Sequence, residues 1–509
     1  METGPEGVDP LRAHTALSLL ADGRWWTLAD LVRETATPRR SIEAILADLS
    51  LERSKDRFRP TPEQRKDLTA RLDAHRPFTP ADPVEHLLAQ HTETIERLGD
   101  LIAHAPRGRH ALDHVSATPE TVVRRALLLG ARFWLPGTRL LCVGDHDLTS
   151  LAVAMIHPHV ETTVVDIDER ILAYIDATAG DLGLNVHTRW ADLRLGLPPS
   201  TREYADLAIT DPPYTPDGVG LFVARAIEGL RDPAQGRILL AYGASDRTPA
   251  LALKVQNALS DLNLVSEAIY PDFNRYFGAE AIGSAADLYI LRPTTKSVPA
   301  ATARAERFSA AIYTQGPQSI ESHTTLGLTA QGLADLSPNV LVGDWPKDIL
   351  PGVPRVRLTT WLAKPYAATL RHVAIALPAG LEPALLRVLL ATRADHVRVF
   401  LAEPTEPPAI LDHVYDIASK GPVLDAVRRP PEHDPERRLL RTLMDRAHGK
   451  VANAWRDALI KLDPALTKRQ ARALVAEAAP WSENTTLLEL PAHRLQSLPE
   501  AARTTICPG

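Results

Sequence analysis

Between Arg139 and Leu291 short apolar runs alternate with helical segments, an order that few folds accept. The runs are Arg139 to Val143, Thr162 to Val165, Val186 to Arg189, Leu207 to Thr210, Ile238 to Tyr242, Leu264 to Tyr270 and Leu288 to Leu291. Brief apolar stretches bounded by turn signals read as buried strands, and the helical patterns between them read as crossovers joining parallel neighbours. The pattern predicts a doubly wound, mainly parallel sheet with ligands at the carboxyl ends of its first strands. The last two runs would form an antiparallel hairpin.

The chain of 509 residues is long for one core, and the flanking sequence supplies further units, so a multidomain α/β protein is expected. Apolar residues at Leu17, Leu20, Leu28, Leu31, Val32, Ile42, Ile45, Leu46 and Leu49 recur at helical spacing. Thr27 can cap a second helix, and Thr37 or Pro38 a third. With the polar hairpin Glu52 to Arg59 behind them, these helices resemble a winged helix. Such a module binds DNA through its third helix, here begun by Arg39 and Arg40, or serves as a protein docking unit. Residues Pro293 to Arg307, rich in Thr, Ala, Ser and Pro, read as a linker. Beyond it, Asn339 to Gly343, His372 to Leu377 and His396 to Ala402 are strand-like, and Pro435 to Ala478 is helical, which predicts a further α/β domain. The expected domains are therefore 1–75, 80–293 and 308–509. Val340 to Asp344 loosely echoes Leu141 to Asp145, although one short echo does not establish a duplicated domain.

Composition narrows the function classes. Hydrophobic residues make up 45% and charged residues 24%, no apolar run approaches the roughly 18 residues of a membrane span, and no signal-peptide pattern opens the chain. A cytoplasmic protein without a membrane partner is expected. Two cysteines, Cys142 and Cys507, allow neither a disulfide framework nor a thiolate metal cluster. The formal charge of -6 does not favour long-range attraction to nucleic acid and is compatible with a cationic ligand.

The first strand runs into Gly144-Asp145-His146-Asp147, which places two carboxylates where a dinucleotide turn carries glycines. Neighbouring carboxylates raise each other's pKa unless a cation neutralises them, and an amine substrate's ammonium would do so. A divalent metal would also serve, but no second cluster of His and acidic residues stands at ligand spacing, so no metal is expected. His146 has an unperturbed pKa near neutrality and can shuttle protons. Asp166 ends the second strand at the distance from this turn where an acid holds ribose hydroxyls, with Gly144 shaping the nucleoside turn. Asp168 is placed to cap the helix that follows. Asp192, after the third strand, stands where a side chain accepts the adenine amino hydrogen. Asp211-Pro212-Pro213-Tyr214 ends the fourth strand, and its Asp and free carbonyls can aim an amine while Tyr214 lies against the cation. The segment Pro271 to Glu280 reads as a loop whose Asp272, Tyr276 and Glu280 suit a slot for a methylene-amine chain; Phe273 and Phe277 are equally suited to packing.

These motifs, in this order, resemble the branched-chain polyamine synthase family, aminopropyltransferases that pair a winged helix with a Rossmann-like adenosylmethionine-type domain. The resemblance covers roughly Leu11 to Leu291 and rests on Gly144 to Leu148, Asp166 to Arg170, Asp211 to Pro213 and Asp272 to Glu280. It implies decarboxylated S-adenosylmethionine as co-substrate, a polyamine acceptor and release of methylthioadenosine. It further implies that Asp145 and Asp147 bind and deprotonate the acceptor while Asp166 holds the donor. In that scheme Asp147 and Asp211 are base and aiming group and Asp145 anchors a second ammonium. His146 departs from the family's acid at the middle of the turn, and the C-terminal extension has no counterpart in the family. Two other readings remain open: an S-adenosylmethionine-dependent amino methyltransferase acting on nucleic acid or a small amine, and a DNA-binding regulator with a degenerate ligand-sensing domain. A homodimer is compatible with all three.

Overall fold

The computed structural model describes residues 11–73, 82–245, 248–306, 311–314 and 326–506. The N-terminal Met1 to Pro10, Cys507 and the domain boundaries expected near residues 75–80 and 307–308 lie outside the described residues. Three sheets order the chain. The first is a small antiparallel sheet of β1 (Trp26–Thr27), β2 (Leu51–Ser54) and β3 (Arg57–Pro60) in the order β1-β3-β2. It packs with helices Leu11–Ala21, Leu28–Thr35 and Arg39–Ala47 around Leu20, Leu31, Val32, Ile42 and Phe58. Thr27 caps the second helix by accepting from the Asp30 amide, whereas the third starts after Pro38 with no side-chain cap.

The central sheet holds β4 (Arg139–Val143), β5 (Glu161–Asp166), β6 (Val186–Trp190), β7 (Leu207–Thr210), β8 (Arg237–Tyr242), β9 (Leu264–Arg275) and β10 (Ala285–Pro293). Its order is β6-β5-β4-β7-β8-β10-β9, parallel except for the β10 and β9 pairings. Near-continuous burial of β4, β5, β7 and β8 explains why these strands read as unbroken apolar runs. The order reverses between β4 and β7, and the carboxyl ends on either side of that switch carry Gly144 and Asp211.

The third sheet comprises β11 (Val340–Val342), β12 (Arg355–Val356), β13 (Leu370–Ala376), β14 (Ala394–Phe400), β15 (Tyr415–Lys420) and β16 (Val423–Arg428), ordered β12-β11-β13-β14-β16-β15. Helices Pro435–Met444, Val451–Leu462, Lys468–Ala478 and Ala492–Ile506 follow it. One hydrophobic cluster continues from the central sheet into this region, through Trp190, Leu385, Leu389, Leu488 and Leu490.

Two segments differ from the sequence expectation. The stretch taken as a linker forms helix Ser297–Glu306, which lies on helix Pro216–Gly229 with Arg304 donating to the Pro216 carbonyl at 2.9 Å. Its alanines favour helix and Pro299 sits in the first turn, where a missing N–H costs nothing. The stretch taken as a loop from Pro271 instead continues β9 to Arg275, with Asp272 at φ +51° and a register shift opposite Ala286 and Leu288.

Candidate active site

The turn after β4 is built by its backbone. Gly144 sits at φ +76°, a conformation that costs other residues, and its amide donates to the Val165 carbonyl at 2.8 Å. The Asp145 amide then donates to Asp166 Oδ2 at 3.0 Å, and the Asp168 amide to Asp166 Oδ1 at 2.8 Å. Two backbone donors thus fix the Asp166 carboxylate at the cavity wall, while burial raises its pKa. Asp168 caps helix Glu169–Leu182 through the Arg170 amide. Asp145 is buried at 4% exposure, and its Oδ2 accepts from the Ser150 amide at 3.1 Å, in the first turn of helix Thr149–Ile156. Burial pushes the Asp145 carboxyl up to about 7, and the nearby Asp147 and Asp166 charges add to the rise.

The cation that neutralises the other two acids belongs to the protein. Helix Pro119–Arg132, capped by Thr118, packs Val122, Val123, Ala126 and Leu129 into the core and carries Arg125 on the same buried side. The Arg125 guanidinium donates through Nε to Asn274 Oδ1 (2.8 Å) and through NH1 to Asp147 Oδ2 (2.9 Å) and Thr149 Oγ1 (3.1 Å). Through NH2 it donates to Asp211 Oδ2 (2.6 Å) and Tyr276 Oη (3.3 Å). A guanidinium has five N–H donors, and all five meet protein acceptors here. Burial opposes the charge, but Asp211 and Asp147 outweigh it and hold Arg125 protonated. Asp147 also accepts from the Ala117 amide at 2.8 Å, so both its oxygens are engaged. Asp211 accepts from Tyr276 Oη at 2.7 Å and Tyr214 Oη at 3.0 Å as well; burial raises its pKa against the pull of Arg125.

This geometry corrects the sequence expectation that a substrate ammonium must neutralise the turn. Asp147 and Asp211, expected as base and aiming group, are an internal ion-paired cluster. Tyr214, expected against a substrate cation, donates to Asp211 instead. Asp145 is left outside the Arg125 cluster, with its carboxyl raised to about 7 against about 6 for Asp211.

His146 stacks on His114, with ring centroids 4.4 Å apart and planes 14° from parallel. Burial lowers His114 to about 3 and lowers His146 as well. Each ring has a buried Nδ1 without a hydrogen-bond partner among the described residues, which further disfavours the imidazolium. The pair is a neutral flank of the cavity rather than a proton shuttle.

A cavity of about 350 Å³ joins these groups, and Gly144, Asp145, His146, Asp147, Asp166, Asp192, Asp211, Pro212, Tyr214 and Tyr276 all reach it. Asp192 is held by Arg194, whose amide and Nε donate to Oδ1 at 3.0 and 2.8 Å. Asp272 and Glu280 do not line the cavity. The Asp272 amide donates to Asp287, and Glu280 pairs with Arg39 of the N-terminal unit at 2.7 Å. Arg39 also bonds Glu43, so of the two arginines expected at a DNA surface one is tied to the rim of the cavity. Phe273 is buried under Arg124, and Phe277 is exposed. Among the described residues no group of His, Cys, Asp and Glu could hold a metal ion, and no helix is long and apolar enough to cross a membrane.

Four contributors escaped the sequence reading: Arg125, Arg194, His114 and Tyr313, which lines the cavity with the Arg194 guanidinium 6.0 Å from its ring centroid. Arg125 had a visible signal, since it shares the helical face of Val122 and Leu129 where an apolar residue is expected.

Residues 93–306 match the family model described as the branched-chain polyamine synthase A C-terminal domain. That segment is similar to the branched-chain polyamine synthase family. Similar proteins of Methanocaldococcus jannaschii include the uncharacterized protein MJ0675, 41% identical over 174 residues, 34% of this chain and 43% of that protein. Another is its N(4)-bis(aminopropyl)spermidine synthase, 31% identical over 193 residues, 37% of this chain and 54% of the relative. The enzyme of the same name from Thermococcus kodakarensis is 31% identical over 189 residues, 36% of this chain and 53% of its own length. The chain thus spans about half the length of the curated relatives it matches. Among solved structures, the branched-chain polyamine synthase C9 mutein of Thermus thermophilus, in complex with N4-aminopropylspermidine and 5′-methylthioadenosine, aligns with a TM-score of 0.43 and 22% identity. That alignment covers 57% of this chain and 88% of the mutein.

Proposed function

We propose that this branched-chain polyamine synthase relative is a transferase that moves an aminopropyl group from decarboxylated S-adenosylmethionine to an amine, releasing methylthioadenosine. The observation that carries the reading is a buried carboxylate of near-neutral pKa, Asp145, set against an amide-fixed acid, Asp166, at the switch point of a nucleoside-type sheet. Asp166 would hold the donor's ribose, as acids at the end of the second strand do in such sheets. The acceptor nitrogen attacks the propyl carbon next to the sulfonium, the N–C bond forms, and the C–S bond breaks with its electron pair going to sulfur. The proton lost by the nitrogen passes to Asp145. A base whose pKa lies near the working pH suits that transfer. The Arg125 cluster keeps the Asp147 and Asp211 side of the cavity rigid, which positions the reactants.

The same cluster supports a decarboxylated donor. Arg125 is the one guanidinium at the cavity among the described residues, and it has no N–H left for a methionine carboxylate, which would face Asp145 and Asp166 instead. The engaged Asp211 disfavours the amino methyltransferase reading, because it is ion-paired with Arg125 and accepts three protein donors, against the two backbone amides on Asp166. We read the N-terminal unit as a winged helix that docks on the cavity rim, through Arg39 and Glu280 and through Ala36 against Gly283.

Incubating the full chain with S-adenosylmethionine or its decarboxylated form and a panel of amines, and weighing the products, tests the reaction. The expected product gains one aminopropyl unit from the decarboxylated donor alone; a gain of one methyl, or no product, rules the proposal out. The neutral His114–His146 flank bears on the acceptor. In the His146→Asp protein the ratio of kcat/KM for spermidine over a diamine should rise about tenfold, which corresponds to roughly 1.4 kcal/mol of added charge pairing. An unchanged ratio would remove His146 from acceptor selection.

A further inference from the structure

The third sheet repeats the central one strand for strand, less one edge. Numbered from its own first strand, the central sheet runs 3-2-1-4-5-7-6 and the third runs 2-1-3-4-6-5; with the number of the missing edge strand skipped, the third becomes 2-1-4-5-7-6, with the same reversal at its last two strands. The register agrees as well. Val143 is opposite Val165 and Thr210 in the central sheet, and Val342 is opposite Val356 and Ile375 in the third. In each, the residue after the first strand is a glycine with positive φ, +76° at Gly144 and +93° at Gly343. Each donates its amide at 2.8 Å to the facing valine of the second strand, Val165 or Val356. The brief echo between Leu141 to Asp145 and Val340 to Asp344 is thus carried by matched backbone geometry.

The chemistry of the cradle is missing from the second copy. The position of Asp166 is Arg357, and the position of Asp211 is Ala376. Around Gly144 a side-chain carbon would meet nothing closer than 3.4 Å, but at Gly343 it would lie 2.3 Å from the Ala376 carbonyl oxygen. Trp345, two residues past Gly343, is buried there with its indole N–H on the Val342 carbonyl at 2.9 Å and its ring edge-on to Phe400. No helix follows this turn; residues 343–354 cross to β12 without regular structure.

The second copy instead grips the first. Arg387 pairs with Glu169 at 2.6 Å and lies over the Trp190 ring; Glu489 accepts from Ser200, and His493 meets Asp176 at 2.7 Å. One contact reaches the cavity. Arg194 NH2 donates to the Gly380 carbonyl at 2.8 Å while the same guanidinium holds Asp192. Gly380 lies in the turn after β13, which matches the turn after β7 in the first copy.

We propose that the C-terminal region contains a second copy of the nucleoside fold, closed to ligand, whose task is to fix the Arg194–Asp192 pair on the wall of the first copy's cavity. The inference rests on the nucleoside reading of that cavity and makes Arg194 a positioning residue, acting through Asp192. Calorimetric titration of the full chain with 5′-methylthioadenosine tests it. Wild type is expected to bind one molecule per chain, and Asp166→Asn is expected to bind none. Arg194→Lys keeps the charge but cannot span Asp192 and Gly380 together, and its affinity should fall about tenfold, the scale of one buried hydrogen bond. The neutral double variant Asp192→Asn/Arg194→Gln leaves no unpaired buried charge and should show the same loss with an unchanged circular dichroism spectrum. Two molecules per chain, residual binding in Asp166→Asn, or wild-type affinity in both Arg194 variants would each overturn the proposal. Single-site binding without aminopropyl transfer would leave it standing and remove the proposed reaction. No binding by wild type would remove both.

Discussion

In the Asp145→Asn protein, aminopropyl transfer is expected to fall by about 100- to 10,000-fold, the contribution of a matched general base. The amide keeps the shape of the carboxylate and can still accept from the Ser150 amide, so what it removes is the capacity to take a proton. Wild-type turnover should rise with pH through about 7, because burial holds Asp145 protonated below that value and only the ionised form is a base. That limb should vanish from the residual activity of Asp145→Asn and persist in Asp147→Asn, whose base is intact. Stability should move the other way. The folded pKa of Asp145 lies above the ordinary carboxylate value of 3.8, so its contribution to stability is complete below that value and is lost as pH rises through about 7. Above pH 7 the Asn protein should therefore be the more stable, by about 1.4 kcal/mol for each unit by which folding raises the pKa. A variant that is inactive and yet unfolds at higher urea identifies a lost base rather than a damaged fold. Near-normal turnover in Asp145→Asn would exclude Asp145 from the chemistry.

The strands of the central sheet were legible because parallel strands covered on both faces must be apolar throughout, and the β4 and β7 bounds were read to the residue. The placement of Gly144, Asp145, Asp166 and Asp211 around one cavity was legible for a related reason. Strand ends at a switch point face a common crevice whatever the loops do. Partnership was not legible. Two acids in a turn announce a cation but not its source, and Arg125 lies 22 positions before Asp147 on a helix whose other buried residues are ordinary core. The partners of Asp192 and Glu280 were hidden in the same way, since Arg194 and Arg39 could be assigned to them only once the chain was folded. The C-terminal sheet was half visible. Strand β12 has two residues, too few for any period, and the edge strand β15 and its neighbour β16 both carry polar residues. Without those three strands the repeated order could not be recognised.

The Arg125→Met protein should be less stable than wild type by about 3–5 kcal/mol at pH 8, the cost typical of removing one partner from a buried ion pair. Methionine fills much the same volume, so a cavity is not the cause. Asp147 and Asp211 would remain in place with Arg125 gone, and a carboxylate without a counter-charge in a buried site takes up a proton. Losing the Arg125 charge would lift the folded Asp211 pKa further above its unfolded value, so the deficit should shrink as pH falls toward the ordinary carboxylate range and grow as it rises. Urea midpoints at pH 5 and pH 8 measure that slope. The same logic predicts recovery in Arg125→Met/Asp147→Asn/Asp211→Asn, in which no buried charge is left unmatched, although transfer should stay low because five hydrogen bonds that order the cavity are gone. A pH-independent deficit in Arg125→Met, or a triple variant no more stable than the single one, would show that the cluster acts by packing and not by charge. The turn would then again need a substrate ammonium to neutralise it.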